Sequence, residues 1–213
     1  MATSLSTYLT EVQRLLHDAN NVFWSQAELT DYINQARNRV VRDTGALRTI
    51  QTANVTANVE TYTYNTTLPN GNVTMDILNI NLFWGNTRVP LYYMPWTDFN
   101  AQLRFWQNYQ GRPVAFSIYG PQQFYVGPTP DQTYTIEADT VIAPQPLVNT
   151  TDIDTIPDPW TDPVPVYAAY LAKYKEQSYG EAEIFLQQYR QRIQAVLSGT
   201  MTRRLFSPYI MRS

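Results

Sequence analysis

The sequence predicts an α+β protein in which an α-helical bundle, formed by N- and C-terminal helical hairpins, carries an inserted antiparallel β-sandwich or barrel-like domain and an extended C-terminal arm. Three observations support this prediction. Apolar residues recur at helical spacing in residues 1–48 and 160–199, β-branched and aromatic residues dominate residues 49–147, and residues 200–213 match neither pattern. Residues 148–159 are then the crossover from the β-rich insertion to the second hairpin.

The first hairpin opens with an amphipathic helix. Its apolar residues recur every three or four positions and are Leu5, Tyr8, Leu9, Val12, Leu15 and Leu16. The polar segment from His17 to Asn21 follows at once and predicts a turn. Two helices joined by so short a turn run antiparallel.

The second helix carries the strongest local signals of the chain. Ser25 is placed to cap the backbone N–H of Glu28 while Glu28 reaches back to Ser25, and Trp24 is placed to pack on Leu29. Gly45 predicts the end of this helix. The apolar stripe between these signals is Leu29, Tyr32, Ile33, Ala36 and Val40.

The second hairpin has the same organisation. We expect Thr161 or Asp162 to cap its first helix, with Pro163 in the first turn. Gly180 is expected between its two helices and Gly199 after them. The two apolar stripes are Val164, Tyr167, Ala168, Leu171 and Tyr174, then Ala182, Phe185, Leu186, Tyr189, Ile193 and Val196. Because each hairpin has an apolar side to cover, the two hairpins are expected to pack on each other.

The middle of the chain changes to the composition of β-strands. Gly85-Asn86 predicts a two-residue hairpin turn, and residues 97–106 predict a short helix across the sheet. In the last strand Glu137 and Asp139 lie on the face opposite the apolar residues. The predicted strands are 59–64, 73–84, 87–93, 113–119, 122–126 and 132–143.

Composition limits the classes of function. The chain has 213 residues, of which 44% are hydrophobic, and this is enough to bury a core. It has no cysteine, which excludes disulfides, thiolate metal sites and cysteine nucleophiles. No apolar run approaches the roughly 18 residues of a membrane span, and no basic region precedes the first leucines. We therefore expect neither a membrane anchor nor a cleaved signal peptide.

Charge is distributed unevenly, although the net charge is only −3. Residues 1–112 hold eight basic and eight acidic residues. Residues 113–172 hold seven acidic residues and no basic one, and residues 173–213 hold seven basic and three acidic residues. The isoelectric point near 5.1 is low for a nucleic-acid-binding protein. The pattern therefore favours complementary surfaces on neighbouring copies of the chain over nucleic-acid binding.

The chain offers little for catalysis, because proton transfer and nucleophilic attack need suitable side chains and it has one histidine. His17 is interpreted as a cation at the C-terminal end of the first helix, where the helix dipole favours it. The acidic cluster Asp152, Asp154, Asp158 and Asp162 lacks the glycine and the bidentate glutamate of a calcium loop. The sequence thus predicts no enzyme, no cofactor and no metal site.

The final segment, TMTRRLFSPYIMRS, has the composition of a docking arm. It combines arginines with apolar anchors, contains no acidic residue, and its proline prevents a continuing helix. The alternative is a terminus that frays or packs on its own chain. Such an arm suits a preformed groove lined with carboxylates on a partner. Its docking residues are Arg203, Arg204, Leu205, Phe206, Pro208, Tyr209, Ile210, Met211 and Arg212.

Three blocks of the chain resemble the head-to-tail adaptor proteins of short-tailed bacteriophages. They are FWSQAELTDYINQARNRVVRDTG, GRPVAFSIYGPQQFYVGPTPDQTYTIEAD and IPDPWTDPVPVYAAYLAKY. Together with their order, they span most of residues 20–178. The succession of the blocks is more specific than any one of them.

The resemblance implies a structural virion protein at the head-tail junction. It implies an oligomeric ring, a dodecamer, which lies beneath the portal protein and extends the DNA ejection channel, with DNA only as passing cargo. The C-terminal arm would dock into the portal, and the far side of the ring would receive tail nozzle or fibre proteins. Assembly is expected in the host cytoplasm, with no membrane involved.

Two other hypotheses remain open. The Thr-, Asn- and Tyr-rich residues 49–147 suggest a carbohydrate-binding or tail-fibre-type β module, which glycan binding would support. The acidic cluster suggests an enzyme that acts through its aspartates, which a thermal shift with calcium or magnesium would support.

Overall fold

The computed structural model describes residues 3–68, 73–106, 109–120 and 122–202, and its elements confirm the α+β class. The helices are α1 (Leu5–Leu16), α2 (Gln26–Thr44), α3 (Tyr64–Thr67), α4 (Trp96–Trp106), α5 (Val164–Lys175) and α6 (Tyr179–Thr202). The strands are β1 (Arg48–Val55), β2 (Thr61–Thr63), β3 (Thr74–Trp84), β4 (Thr87–Pro90), β5 (Tyr92–Tyr93), β6 (Gln110–Gly111), β7 (Ala115–Tyr119), β8 (Gln123–Gly127), β9 (Thr129–Pro130) and β10 (Tyr134–Ile142). They fall into two compact units, a helical one within residues 1–47 and 144–213 and a β-rich one within residues 48–143.

The first two helices begin and end where the sequence predicts. The Ser25 hydroxyl accepts a hydrogen bond from the Glu28 N–H at 3.3 Å and donates one to the Glu28 carboxylate at 3.2 Å. Gly45 ends α2 in the left-handed conformation, with φ at 61°. Ser4 caps α1 in the same way as Ser25 caps α2, because its side chain accepts from the Thr7 N–H.

The start of α5 differs from the prediction. Neither Thr161 nor Asp162 caps this helix with its side chain, because Pro163 occupies the cap position. The N–H of Val164 donates instead to the backbone carbonyl of Thr161 at 3.1 Å. The prediction of a side-chain cap at Thr161 or Asp162 is therefore wrong.

Two predictions about helix-ending glycines are also wrong. Gly180 lies inside α6, and so does Gly199, since the helix continues to Thr202. The turn between α5 and α6 is made at Gln177, which adopts a left-handed conformation with φ at 63°. Lys173 stabilises this turn, because it forms ion pairs of 3.0 Å with an acidic residue on each side of Gln177. The turn therefore needs no glycine.

α5 is buried on more faces than its predicted apolar stripe indicates. Tyr174, which the stripe includes, is exposed. The buried residues of α5 are Val164, Pro165, Val166, Ala168, Ala169 and Ala172. This helix contacts α1, α2 and α6, and its alanines leave room for the neighbouring helices. One hydrophobic core therefore contains buried side chains from all four of these helices.

The β-rich unit contains two four-stranded sheets, with strand orders β1-β10-β3-β4 and β2-β8-β7-β5. β3 and β4 form the predicted hairpin at Gly85-Asn86, and Gly85 has φ at 59°. The predicted faces of β10 are confirmed, because its apolar residues are buried. On the opposite face, Asp139 pairs with Arg48 of β1 and Glu137 pairs with Arg88 of β4.

Two features of this unit are absent from the prediction. β1 pairs with β10 along its whole length, yet only Gln51 and Val55 of its eight residues are buried. Its sequence therefore has a weak apolar alternation. The insertion is also not wholly antiparallel, because β5 runs parallel to β7 and β6 runs parallel to β9. Between β5 and β7 the chain passes through α4, and a crossover helix returns the next strand in the same direction.

Both four-stranded sheets contribute side chains to one hydrophobic core. Its buried members are Val55, Tyr62, Tyr64, Leu68, Ile77, Ile80, Leu82, Leu91, Phe116, Phe124, Val126, Tyr134, Ile136 and Ala138. The predicted short helix at 97–106 is confirmed as α4, and its Phe99 and Leu103 pack with Ala115 of β7. Within the described ranges, no helix combines the length and the apolar character needed to cross a membrane.

Candidate interaction surfaces

The predicted docking arm, residues 200–213, starts too early, because residues 200–202 are the last residues of α6. The predicted docking residues lie outside the described residues, and they are Arg203, Arg204, Leu205, Phe206, Pro208, Tyr209, Ile210, Met211 and Arg212. The structure does place the residues that precede the arm. α6 has 24 residues and is therefore about 36 Å long, and it ends at Thr202. The α5–α6 turn and the start of the arm thus lie at opposite ends of one helix.

Among the predicted candidates, the acidic cluster does not assemble into one site. Asp152 accepts hydrogen bonds from the Val148 and Asn149 N–H groups, both at 2.8 Å, and these bonds hold the pKa of its carboxyl below the usual value. Asp162 forms an ion pair of 2.8 Å with Arg192 of α6. Asp158 is exposed. Within the part of the chain that the structure describes, no three His, Asp or Glu residues are grouped as metal ligands.

Asp154 is the acceptor of a buried network that the sequence did not predict. Its side chain has 0% exposure, and that of Arg37 has 1%. Arg37 donates from Nη2 to Oδ1 at 2.7 Å and from Nε to Oδ2 at 3.0 Å. The Tyr8 hydroxyl donates to Oδ2 at 2.7 Å, and the Ile156 N–H donates to Oδ1 at 2.9 Å. Burial raises the pKa of Tyr8, and the neighbouring Asp154 carboxylate raises it further. The network therefore fixes Asp154 in a structural role.

The same network attaches the crossover to α2, and from here on the crossover includes residues 144–147, with which the chain re-enters the helical unit. Arg37 Nη1 also donates to the Gln145 carbonyl at 2.8 Å. The Asn34 side-chain amide donates to the Leu147 carbonyl and accepts from the Leu147 N–H, both at 2.9 Å. A sequence signal for Arg37 existed, because it lies four residues after Ile33 and three before Val40 on the inward stripe. The crossover is thus held by hydrogen bonds along its length.

The turn between α1 and α2 presents two apolar side chains, Val22 and Phe23, which we call the tip. They are 77% and 82% exposed. The buried Asp18 carboxylate accepts hydrogen bonds from three consecutive backbone N–H groups, those of Val22 at 2.8 Å and of Phe23 and Trp24 at 3.0 Å. His17 occupies the C-cap of α1 with φ at 56°. The tip is therefore exposed and also fixed in conformation.

A row of tyrosines follows the surface of α5 and α6. Its ring centroids lie 4.8 to 5.9 Å apart, and its members in order are Tyr189, Tyr167, Tyr170, Tyr174 and Tyr179. A groove of about 270 Å³ opens beside the first three, and Arg39, Asp43, Leu186 and Arg190 also line it. Burial and the hydrogen bond to Asp43 raise the pKa of Tyr189. Aromatic and arginine side chains of this kind are enriched in protein interfaces.

A second groove lies between α2 and the crossover, with a volume of about 490 Å³. Its lining residues are Gln26, Ala27, Thr30, Asp31, Asn34, Pro146, Leu147 and Val148. Val148 stands at this groove with 74% exposure. Because Asn34 holds both backbone groups of Leu147, the crossover side of the groove is fixed in place.

The β-rich unit has its own exposed aromatic residues. Tyr92 and Tyr93 of the edge strand β5 are exposed, and so is Tyr119 at the end of β7. The Trp96 ring lies 4.5 Å from the Tyr119 ring. Tyr92 and Tyr93 lie on the edge strand of the β2-β8-β7-β5 sheet and point to its opposite faces, and Tyr119 lies on the neighbouring strand.

Comparison with known proteins identifies the family. The model of the SU10 adaptor protein family matches residues 3–212, which is nearly the whole chain. No protein of curated function matches it. The match agrees with the resemblance carried by the three sequence blocks, and it indicates a structural protein of the phage head-tail junction. The chain therefore belongs to the SU10 adaptor protein family, as a phage head-to-tail adaptor.

Proposed function

We propose that this protein forms a ring, a dodecamer by analogy with related adaptors, that joins the portal to the tail and extends the DNA channel. The observation that carries the proposal is the family match across residues 3–212. In this assembly the portal and the tail nozzle or fibre proteins are the partners, and DNA only passes through. The isoelectric point near 5.1 suits a protein that does not retain DNA.

The proposed architecture is a helical bundle that carries a β-sandwich inserted between its second and third long helices. The shared core of α1, α2, α5 and α6 supports the bundle. The single core to which both four-stranded sheets contribute supports the sandwich. We assign the bundle to residues 1–48 with 160–199, the inserted domain to residues 49–147 and the crossover between them to residues 148–159, whereas the compact units divide after residues 47 and 143.

Portal binding is assigned to the arm that follows α6. Three arginines and five apolar side chains in residues 203–212 suit a groove with carboxylates at its rim and apolar pockets within it. Because α6 is helical up to Thr202, the arm starts at a defined point. A fixed start restricts where the arm can reach, and this lowers the entropic cost of docking.

The test is co-sedimentation of the purified protein with its portal. Removal of residues 203–213 is expected to abolish co-sedimentation while the circular dichroism spectrum stays helical. Phe206→Ser with Tyr209→Ser removes two anchors and keeps the arginines, and we expect binding to weaken by at least about 30-fold, the loss typical of one hot-spot residue. Ile184→Ser, at an exposed apolar position of α6, is the matched control outside the arm. Unchanged co-sedimentation of the truncated chain would show that the arm does not bind the portal.

A second candidate function is favoured by the aromatic edge of the β-rich unit. Exposed rings such as Tyr92, Tyr93 and Tyr119 are suited to stack on sugar rings. Glycan-array binding by the full chain, lost in Tyr92→Ala with Tyr93→Ala, would support a carbohydrate-binding or tail-fibre-type module. An array with no signal would count against it.

A further inference from the structure

The tip at the α1–α2 turn has the properties of a preformed interface anchor. Large apolar side chains are rarely exposed next to one another in a rigid segment, because an exposed side chain does not gain the free energy that burial would contribute to folding. Here Phe23 and its neighbour Val22 are held outward by three hydrogen bonds to the buried Asp18 carboxylate. An anchor that is already ordered loses little entropy when it binds.

Further contacts brace the tip from both sides. The Gln13 side chain of α1 donates to Asn21 at 2.7 Å. Lys175 at the end of α5 pairs with Glu28, and its ammonium lies 5.7 Å from the centre of the Trp24 ring. The turn is thus fixed by α1 and also by the C-terminal end of α5.

The same chain offers a receptor for such an anchor. The groove between α2 and the crossover is lined by Ala27, Pro146, Leu147 and Val148 on its apolar side. Its volume of about 490 Å³ falls in the usual range for binding clefts, roughly 300 to 1,000 Å³. The groove, like the tip, is held by hydrogen bonds.

Charge at the two surfaces is complementary. Arg14 is exposed in the last turn of α1, next to the tip. Asp31 is exposed at the groove. Among the described residues neither of these side chains forms an ion pair. Opposite charges of this kind steer two surfaces together and fix their register.

We propose that the tip of one copy binds in the α2–crossover groove of a second copy, with Arg14 of the first facing Asp31 of the second. The inference rests on the ring proposed above and names its contact. Because tip and groove are different surfaces, the contact is head-to-tail, and such a contact generates a ring when its repeated rotation closes and an open filament when it does not. Each copy then supplies one tip and accepts one.

The absence of cysteine in the chain allows a direct test. Val22→Cys and Val148→Cys are made in separate chains, which are mixed and oxidised, alone and on portal. The tip–groove contact predicts a covalent heterodimer from the mixture and little cross-linking of either variant alone, since a disulfide needs Cα atoms within about 7 Å. An oligomer that forms without this cross-link would overturn the tip–groove contact only. A chain that stays monomeric both alone and on portal would overturn the proposed ring as well.

Point variants test the energetics in the same full-length chain. Phe23→Ser is expected to weaken self-association by at least about 30-fold, as for a hot-spot residue. Ile184→Ser, at an exposed apolar position of α6, is the matched control and should change it little. Arg14→Glu and Asp31→Lys should each weaken association, and the two charge reversals combined should restore it. Failure of the combined variant to recover would show that these two residues do not face each other between copies.

Discussion

Replacement of Asp154 by Asn tests whether the buried network holds the crossover on the helices. The change keeps the size of the side chain but leaves the Arg37 guanidinium, 1% exposed, without its counter-ion. Removal of one partner from a buried ion pair costs about 3 to 5 kcal/mol. For a chain of this length, such a loss lowers the midpoint of thermal unfolding by about 6 to 20 °C.

The assay is urea unfolding of the full-length chain, followed by circular dichroism in the helix band. The matched control is Arg39→Ala, which breaks an exposed ion pair with Asp43 on the same helix. That pair spans one helical turn at the surface and is worth about 0.5 kcal/mol or less. Asp154→Asn is therefore expected to be at least several times more destabilising than the control.

The combined variant Arg37→Met with Asp154→Leu separates charge from packing. It removes both buried charges, so it should cost less than the sum of the two single changes. A loss below about 1 kcal/mol for Asp154→Asn, or a loss equal to that of Arg39→Ala, would refute the assigned role.

Further predictions concern four single residues. Gly127→Ala places a Cβ into the Trp106 ring and should destabilise the protein by about 1 to 3 kcal/mol. Gly180→Ala adds a Cβ in open space on α6 and should stabilise the protein by about 0.5 to 1 kcal/mol. Urea unfolding measures both changes. Backbone hydrogen bonds at the tip lower the pKa of the Asp18 carboxyl in the folded protein. The Asp18 carboxylate therefore stabilises the fold at pH values above its ordinary pKa of about 3.9, and this stabilisation is lost as pH falls through the lowered pKa. Asp18→Asn should therefore lose less stability than the wild type between about pH 5 and 2. Tyr8→Phe should lower the free energy of unfolding by about 1 to 3 kcal/mol at neutral pH. Because the pKa of Tyr8 is raised in the folded protein, the wild type should lose this advantage over the variant as pH rises above about 10. A stability difference that stays constant with pH would argue against the buried hydroxyl.

Local signals in the sequence predicted local structure well. The Ser25–Glu28 capping box and Gly45 define α2 because both act within one turn of the backbone. The alternation in β10 gave its buried face correctly, since side chains alternate across a strand.

Features that depend on distant partners escaped prediction. Arg37 is separated from Asp154 by 117 positions, so its place on the inward stripe alone did not reveal an ion pair. β1 is a strand because β10 pairs with it, and its own alternation is weak. Gly180 is helical because the chain turns before it, at Gln177, where the ion pairs of Lys173 hold the turn. Each of these is a case in which tertiary contacts outweigh local propensity.

The candidate interaction surfaces show the same division. The docking arm stays a prediction from composition, from three arginines among apolar side chains, because residues 203–212 lie outside the described residues. The tip was not predicted, because the exposure of Phe23 depends on hydrogen bonds from its backbone to the Asp18 side chain. The groove beside α2 also depends on contacts far apart in sequence, between Asn34 and Leu147.

The pairing of β1 with β10 brings the first and last strands of residues 48–143 together. Arg48 lies opposite Val141, so the chain enters and leaves this segment at neighbouring points, with paired Cα atoms about 5 Å apart. Because the ends of this segment are adjacent, a short Gly-rich linker can replace it without changing the path of the rest of the chain.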